Sequence, residues 1–286
     1  MLQFRPKVLF RASILAAALS TGFASIASAD LLQDVNNKKE ITIGTEARYA
    51  PFEFLENGKI VGYSTDMLEI IMKDLPGVKL NRLDLPWQGI LPGLDAKKFD
   101  YIVTAVTVTK ERAQRYHLSL PIADATLALL KRKGDSSITK PEDILGKPVG
   151  SQSGSAQLQG LQAFNEELKA KNGGKGVSNI KTYVDFDEAY SDLAAGRISA
   201  VGNSLPNLLY VAKTRPDVFE VIPETIGPKK YFSWAGRKDA ESVSLNKFFD
   251  GEIAKLNKSG EMSKLQKKWF GFEMHVPADK LPKPEF

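Results

Sequence analysis

The chain has 286 residues, a formal net charge of +5 and no cysteine. Disulfide bonds, thiol catalysis and a lipid anchor on an N-terminal cysteine are therefore excluded. Lysine and arginine are interspersed with aspartate and glutamate, so the mild positive balance gives no reason to expect a nucleic-acid partner. The two histidines, His117 and His275, lie far apart without metal-ligand spacing, and no catalytic triad stands out. We expect no metal site, no catalytic residue and no cofactor.

Residues 1–29 have the three parts of a secretory signal peptide. Basic residues come first, a short apolar stretch follows, and Ala27-Ser28-Ala29 fits a cleavage site. The apolar stretch is short for a membrane span, so a retained anchor is the less favoured alternative. We expect cleavage near Ala29 and a mature protein in the periplasm.

The rest of the chain alternates strand-like and helix-like segments, which is typical of an α/β fold with largely parallel sheets. In the first part, strands are predicted at 41–45, 78–83 and 101–105, and helices at 66–73 and 87–96. The apolar segment 121–133 is extended, and we interpret it as a connector that crosses to a second lobe.

The second lobe is predicted to begin with a helix at Pro141. Strands follow at 148–151, 180–184 and 198–202, and helices at 156–171, 187–195 and 205–213. The chain then returns through 231–236 to two helices and a surface tail at 277–286. We therefore predict two lobes and two crossover connections, with lobe 1 at 30–124 and 229–286 and lobe 2 at 125–228.

Two motifs predict a site for a small zwitterion. The first, 41–54, is a strand that runs into a turn with an aromatic residue and a carboxylate. The second, 100–112, is a strand that opens into a hydroxyl-rich loop with Arg112 five residues after Thr107. An arginine offers two parallel N–H donors to a carboxylate, and neighbouring hydroxyls and amides can complete its shell.

These residues resemble a known family, the extracellular solute-binding proteins of polar amino acid ABC importers, which include lysine/arginine/ornithine, histidine and glutamine binders. The resemblance covers nearly all of the chain after residue 29. Its segments are Gly44-Thr45-Glu46 with 49–53, Gly62-Tyr63-Ser64-Thr65-Asp66, 100–112, 146–150 with Gly154-Ser155, 194–198 and Lys267-Lys268-Trp269-Phe270. The resemblance implies a type II periplasmic-binding-protein fold, a ligand cleft between the lobes, and delivery of the ligand to a membrane permease.

The resemblance also implies roles for particular residues. Arg112 would pair with the ligand carboxylate, and the other hydrogen bonds would come from Thr104, Ala105, Thr107, Ser155 and Ala156. The last two open a helix after a glycine-containing turn, and a helix N-terminus is itself a favourable place for an anion. Tyr49 and Trp87 would enclose the ligand side chain, and Glu46 would reach a distal cationic group.

The chain departs from the family pattern where an aspartate usually accepts the α-ammonium of the ligand. The position that aligns with that aspartate is Ser204, which follows Asn203. Either these two residues share the task, or the ligand lacks a free primary α-ammonium. Ser64 likewise replaces the first acid of the usual glycine–aromatic–acid pattern.

The sequence thus predicts a monomeric binding protein of an ABC importer, not an enzyme, with a polar or cationic amino acid or a derivative as ligand. Two alternatives stay open. Cyclohexadienyl dehydratases resemble these binders, and Glu46 could then serve as a general acid. The chain could also present its ligand to a periplasmic sensor.

Overall fold

The computed structural model describes residues 1–3 and 30–284. Apart from its first three residues, the predicted signal peptide, with its cleavage site, lies outside the described residues. Within the described part of the chain, no helix is both long and apolar enough to cross a membrane.

Fourteen strands and nine α-helices make up the described chain. The strands are β1 Glu40–Thr45, β2 Arg48–Tyr49, β3 Glu53–Glu56, β4 Lys59–Val61, β5 Lys79–Asp84, β6 Tyr101–Thr107, β7 Tyr116–Leu118, β8 Ala123–Asp124, β9 Leu127–Arg132, β10 Pro148–Gln152, β11 Asn179–Tyr183, β12 Ala200–Ser204, β13 Phe219–Val221 and β14 Tyr231–Arg237. The helices are α1 Leu31–Lys38, α2 Tyr63–Ile71, α3 Trp87–Asp95, α4 Lys110–Arg115, α5 Ala156–Lys171, α6 Phe186–Ala194, α7 Leu205–Thr214, α8 Val243–Lys258 and α9 Glu261–Phe270.

The strands form one sheet in each lobe. The first has the order β5-β1-β6-β14-β7, with β8 beside β14, and the second has the order β11-β10-β12-β9-β13. In each sheet three neighbouring strands run parallel, β5, β1 and β6 in the first and β11, β10 and β12 in the second. The next pairs, β6 with β14 and β12 with β9, are antiparallel. Every residue of β6 is buried, as expected for an inner strand covered on both faces. A small antiparallel sheet, β2-β3-β4, adjoins the first lobe.

The chain passes between the two sheets twice. It leaves the first sheet after β8, which pairs with β14, and enters the second at β9, which pairs with β12. It returns after Ile226, which bridges to Leu127, and rejoins the first sheet at β14. Two lobes with two crossover connections are thus observed, whereas the exact lobe limits given above stay a prediction.

Three sequence-based expectations need correction. Segment 121–133 is not one connector: its apolar residues Leu127–Arg132 form a strand that pairs on both sides. The helix expected at Pro141 is only a short 3₁₀ turn, Pro141–Ile144. The tail is not all surface, because Leu281 packs, partly buried, against the apolar cluster that includes Trp87 and Val108.

Candidate functional site

A narrow cleft lies between the lobes, next to the carboxyl ends of β1, β6 and β10. In sheets of this kind, ligands bind at that edge of the strands. The lining residues are Glu46, Tyr49, Trp87, Ala105, Thr107, Arg112, Gln152, Ser155 and Gln157. Seven of these nine residues were singled out from the sequence.

Arg112 is the cation of this cleft. It lies in α4, which begins after Thr109, whose hydroxyl accepts a hydrogen bond from the Arg112 backbone N–H. Its side chain is only 7% exposed, and it donates to the carbonyls of Thr107 (3.1 Å) and Gly154 (3.4 Å). Burial lowers the pKa of Arg112 to about 10, so the guanidinium remains charged at neutral pH. Among the described residues no carboxylate forms an ion pair with it.

Trp87 lies directly against Arg112. The guanidinium carbon is 4.8 Å from the centre of the indole ring, and the indole Nε1–H donates to the Gly154 carbonyl at 2.9 Å. This stacking adds cation–π attraction to a desolvated charge. One face of the ring is therefore covered by Arg112, so a ligand side chain could stack only on the other.

Glu46 is a buried acid without a cationic partner. It is 3% exposed, and its Oε1 accepts a hydrogen bond from Gln152 Nε2 at 2.5 Å. The nearby Arg48 forms its ion pair with Asp84 instead. Burial raises the pKa of Glu46 to about 8, so the side chain is mostly neutral at neutral pH.

Tyr49 and the residues of the expected amino site form a closed network. The Tyr49 hydroxyl donates to Asn203 Oδ1 at 2.8 Å, and Asn203 Nδ2 donates to the Tyr190 hydroxyl at 2.9 Å. Ser204 gives its backbone N–H to the same Asn203 oxygen and its hydroxyl to Asn207 Oδ1. Asn203 and Ser204 are fully buried, and neither is among the residues that line the cleft. This end of the site is neutral and has its polar groups paired.

The structure does not bring Thr104 to the cleft. Side chains of a strand point alternately to opposite faces, so Ala105 and Thr107 line the cleft while Thr104 points to the other side. There its hydroxyl donates to Glu53 at 2.9 Å. Burial raises the pKa of Glu53 to about 8, although the hydroxyls of Ser64 and Thr104 act in the opposite direction.

The start of α5 supplies the contribution of the second lobe. Ser155 is the cap: its hydroxyl accepts from the Leu158 N–H at 3.0 Å and donates to the Gln152 carbonyl at 2.8 Å. Ala156, the first residue of the helix, is buried but is not among the cleft-lining residues. The first N–H groups of a helix have no partner within it and are suited to bind an anion.

Two lining residues, Gln152 and Gln157, were not singled out from the sequence. Gln152 ends β10 and bonds to Glu46, and the Nε2 of Gln157 donates to Thr107 Oγ1 at 3.2 Å. Both flank the turn at Gly154 and Ser155 that was recognised as part of the site. Their position on either side of that turn is the feature of the sequence by which they could have been found.

Residues 41–272 match the family of bacterial extracellular solute-binding proteins, family 3. The chain belongs to this family. The two-lobe fold and the role of a solute-binding protein that the sequence predicted are thereby confirmed. Its described residues contain no group of three or more histidine, aspartate or glutamate side chains placed to hold a metal ion.

Two relatives of this solute-binding protein come from Escherichia coli (strain K12). The L-cystine-binding protein TcyJ is 31% identical over 265 residues, 91% of this chain and 94% of that protein. The lysine/arginine/ornithine-binding periplasmic protein is 29% identical over 271 residues, 92% and 98% of the respective chains.

A solved structure with the same fold is that of the ancestral amino acid-binding protein AncCDT-1, a precursor of cyclohexadienyl dehydratase. It has a TM-score of 0.73 and 26% identity, and the match covers 84% of this chain and all of that one (100%). The similarity therefore extends over both lobes and the cleft.

Proposed function

We propose that this protein captures an amino acid or an amino-acid derivative in the periplasm and delivers it to the permease of an ABC importer. The observation that carries the proposal is Arg112, a buried guanidinium in an interlobe cleft, which donates to two carbonyls and forms no ion pair with a described carboxylate. A ligand carboxylate would accept two parallel charge-assisted hydrogen bonds there. The helix N-terminus at Ser155 would complete the anion site from the second lobe.

The names of the relatives support an amino acid as ligand, because they bind cystine or lysine, arginine and ornithine. Within the cleft, the carboxyl group of Glu46 and the amide of Gln152 form a polar end, and Tyr49 and Trp87 form the walls. These groups suit a ligand with a polar or cationic nitrogen-containing side chain. The contacts assigned to Glu46, Tyr49, Trp87 and Arg112 are part of the proposal.

A thermal-shift screen tests the ligand class. The panel contains basic, polar and sulfur-containing amino acids, betaines and N-substituted amino acids. Each is used at a concentration well above a micromolar dissociation constant. A true ligand raises the melting temperature in proportion to the logarithm of its concentration. Titration calorimetry then measures the dissociation constant. If no carboxylate-containing compound in the panel binds, the proposed function is wrong.

We propose binding without turnover, although Glu46 offers one reason to test catalysis. A neutral carboxyl in a cleft could donate a proton to a leaving group, as a general acid does. Prephenate or arogenate is incubated with the purified protein, and product is followed by absorbance and mass spectrometry. If the protein forms product and the Glu46→Gln variant does not, the dehydratase alternative is established.

The remaining parts of the proposal concern location and assembly. We propose a periplasmic monomer that starts near Asp30, after removal of residues 1–29. Intact-mass measurement of the secreted protein gives its first residue, and light scattering gives its oligomeric state. Deletion of the gene separates transport from sensing, because only an importer component is needed for uptake of the ligand.

A further inference from the structure

Two adjacent side chains at the start of α3 reach across the cleft to the second lobe. Trp87 donates its indole N–H to the carbonyl of Gly154 at 2.9 Å. Gln88 donates through one Nε2 group to the carbonyls of Ser153 and Val184, both at 3.1 Å. One corner of the first lobe therefore holds three carbonyls of the second lobe. We call Trp87, Gln88 and these three carbonyls the closure clamp.

The three acceptor carbonyls belong to two connected loops. Ser153 and Gly154 follow β10, whereas Val184 follows β11, and the Ser153 N–H donates to the Tyr183 carbonyl at 2.9 Å. Gly154 has φ +71°, a conformation that favours glycine and turns its carbonyl within reach of Trp87. The two loops thus present their carbonyls as one surface to α3.

Gln88 differs from the other groups that donate to these loops. Arg112 also donates to Gly154, and Gln152 also donates to Val184, but both of these residues line the cleft. Gln88 is exposed and is not among the lining residues. It therefore joins the two lobes at the rim without lying where a ligand would be held.

We propose that Gln88 is a positioning residue that stabilises the closed arrangement of the lobes without contacting the ligand. The proposal rests on the proposed function, in that closure retains the bound amino acid. Opening the cleft breaks both hydrogen bonds of Gln88, so its amide slows release of whatever ligand is bound. Because the amide contacts only backbone carbonyls, it acts equally on every ligand that permits the same closure.

This role predicts a particular kinetic pattern. Removing two solvent-accessible hydrogen bonds should weaken affinity about three- to tenfold. The loss should appear in the dissociation rate, since the open form that meets the ligand does not contain these bonds. Two different ligands should lose affinity by the same factor, so their ratio of dissociation constants stays unchanged.

The test compares Gln88→Ala with Gln162→Ala, at an exposed glutamine on α5 whose side chain forms no hydrogen bond to the other lobe among the described residues. Stopped-flow binding and calorimetry are measured with the two tightest compounds of the thermal-shift panel. We expect faster dissociation of both compounds from Gln88→Ala only, with an association rate that is not reduced and an unchanged ratio of affinities. Affinity equal to that of Gln162→Ala overturns the proposal. So does a changed ratio, which would place Gln88 in contact with the ligand.

A second measurement does not need a ligand. Since the chain has no cysteine, Lys98→Cys and Lys175→Cys place one spin label in each lobe without side reactions. Pulsed electron paramagnetic resonance then gives the interlobe distance distribution. We expect Gln88→Ala to shift this distribution towards longer distances relative to Gln162→Ala. Identical distributions overturn the clamp. Because this measurement needs no ligand, its result is independent of the binding screen, and a failure of every amino acid to bind would refute only the proposed function.

Discussion

The two ends of the candidate site contrast in charge and in hydrogen bonding. At one end Arg112 keeps a full charge, donates to carbonyl oxygens and stacks on Trp87, and it forms no ion pair within the described part of the chain. At the other end Asn203 and Ser204 are neutral and bond to Tyr49, Tyr190 and Asn207. A buried cation without an anion is costly, whereas a neutral paired network is not. The site is therefore built more for a carboxylate than for an ammonium.

The largest effect is expected at the charged end. Replacing Arg112 by Ala should weaken ligand binding by about 2–4 kcal/mol, because a carboxylate would be enclosed without its two-pronged partner. Arg115→Ala is the matched control, since Arg115 lies in the same helix with its side chain 65% exposed and paired to Asp95. Calorimetry gives both affinities. A loss below threefold for Arg112→Ala would remove this residue from the site and with it the contrast.

The acid behind β6 tests whether a buried anion lies on the face of β6 turned away from the cleft. Glu53 has a folded pKa of about 8 against 4.5, so between these values the folded state holds a proton that the unfolded state has lost. Stability must then fall as pH rises. The side chain introduced by Glu53→Gln cannot ionise. Between pH 5 and pH 7 the unfolding free energy of this variant should therefore fall by about 2 kcal/mol less than that of the natural protein.

Urea unfolding at both pH values measures this difference. Glu56→Gln serves as the control, because Glu56 is an exposed acid on the same strand. Parallel pH dependence of Glu53→Gln and the natural protein would mean that Glu53 is ionised in the folded state. Thr104 would then donate to a carboxylate, and a buried anion would lie behind β6, opposite the cleft that holds Arg112.

Trp87 offers a milder change at the same end. Trp87→Phe keeps an aromatic face for Arg112 but removes the N–H that donates to Gly154. We expect affinity to fall by about 1–2 kcal/mol with a small change in melting temperature. Both quantities are measured on one protein. A large drop in melting temperature with unchanged affinity would show that the ring serves the core rather than the binding site.

The sequence predicted the fold better than it predicted the partners of individual side chains. Apolar periodicity and turn residues located most strands and helices, and the spacing from Thr107 to Arg112 located the charged end. Two contacts escaped because they join segments that are distant in sequence and meet only in the folded chain. Gln152 donates a hydrogen bond to Glu46, which lies 106 positions earlier in the sequence. The guanidinium of Arg112 covers the ring of Trp87.

Thr104 shows a different limit. Its place in β6 beside Ala105 was correctly anticipated, but which face it takes depends on the register of the whole strand. One position along a strand reverses the direction of the side chain. Glu53, which accepts the hydrogen bond from the Thr104 hydroxyl, belongs to a separate small sheet. Neither of the two motifs alone indicates that contact.

The smallest and most selective effect is expected at the neutral end. Ser204→Asp would place an ionisable acceptor where Ser204 now donates its hydroxyl to Asn207. The amide of Asn207 can turn its Nδ2–H towards the new carboxylate, at the cost of its 2.8 Å bond to the Ala50 carbonyl in the other lobe. An ordinary L-amino acid, with a free α-ammonium, should then gain about 1 kcal/mol of binding free energy relative to an N-substituted analogue.

Competition titrations with such a pair of ligands test this preference. Titrating both Ser204→Asp and Ser204→Ala separates the effect of the added charge from that of the lost hydroxyl. If the preference stays unchanged, or moves towards the N-substituted compound, the ammonium lies elsewhere, and the contrast between a charged and a neutral end no longer describes how the ligand is held.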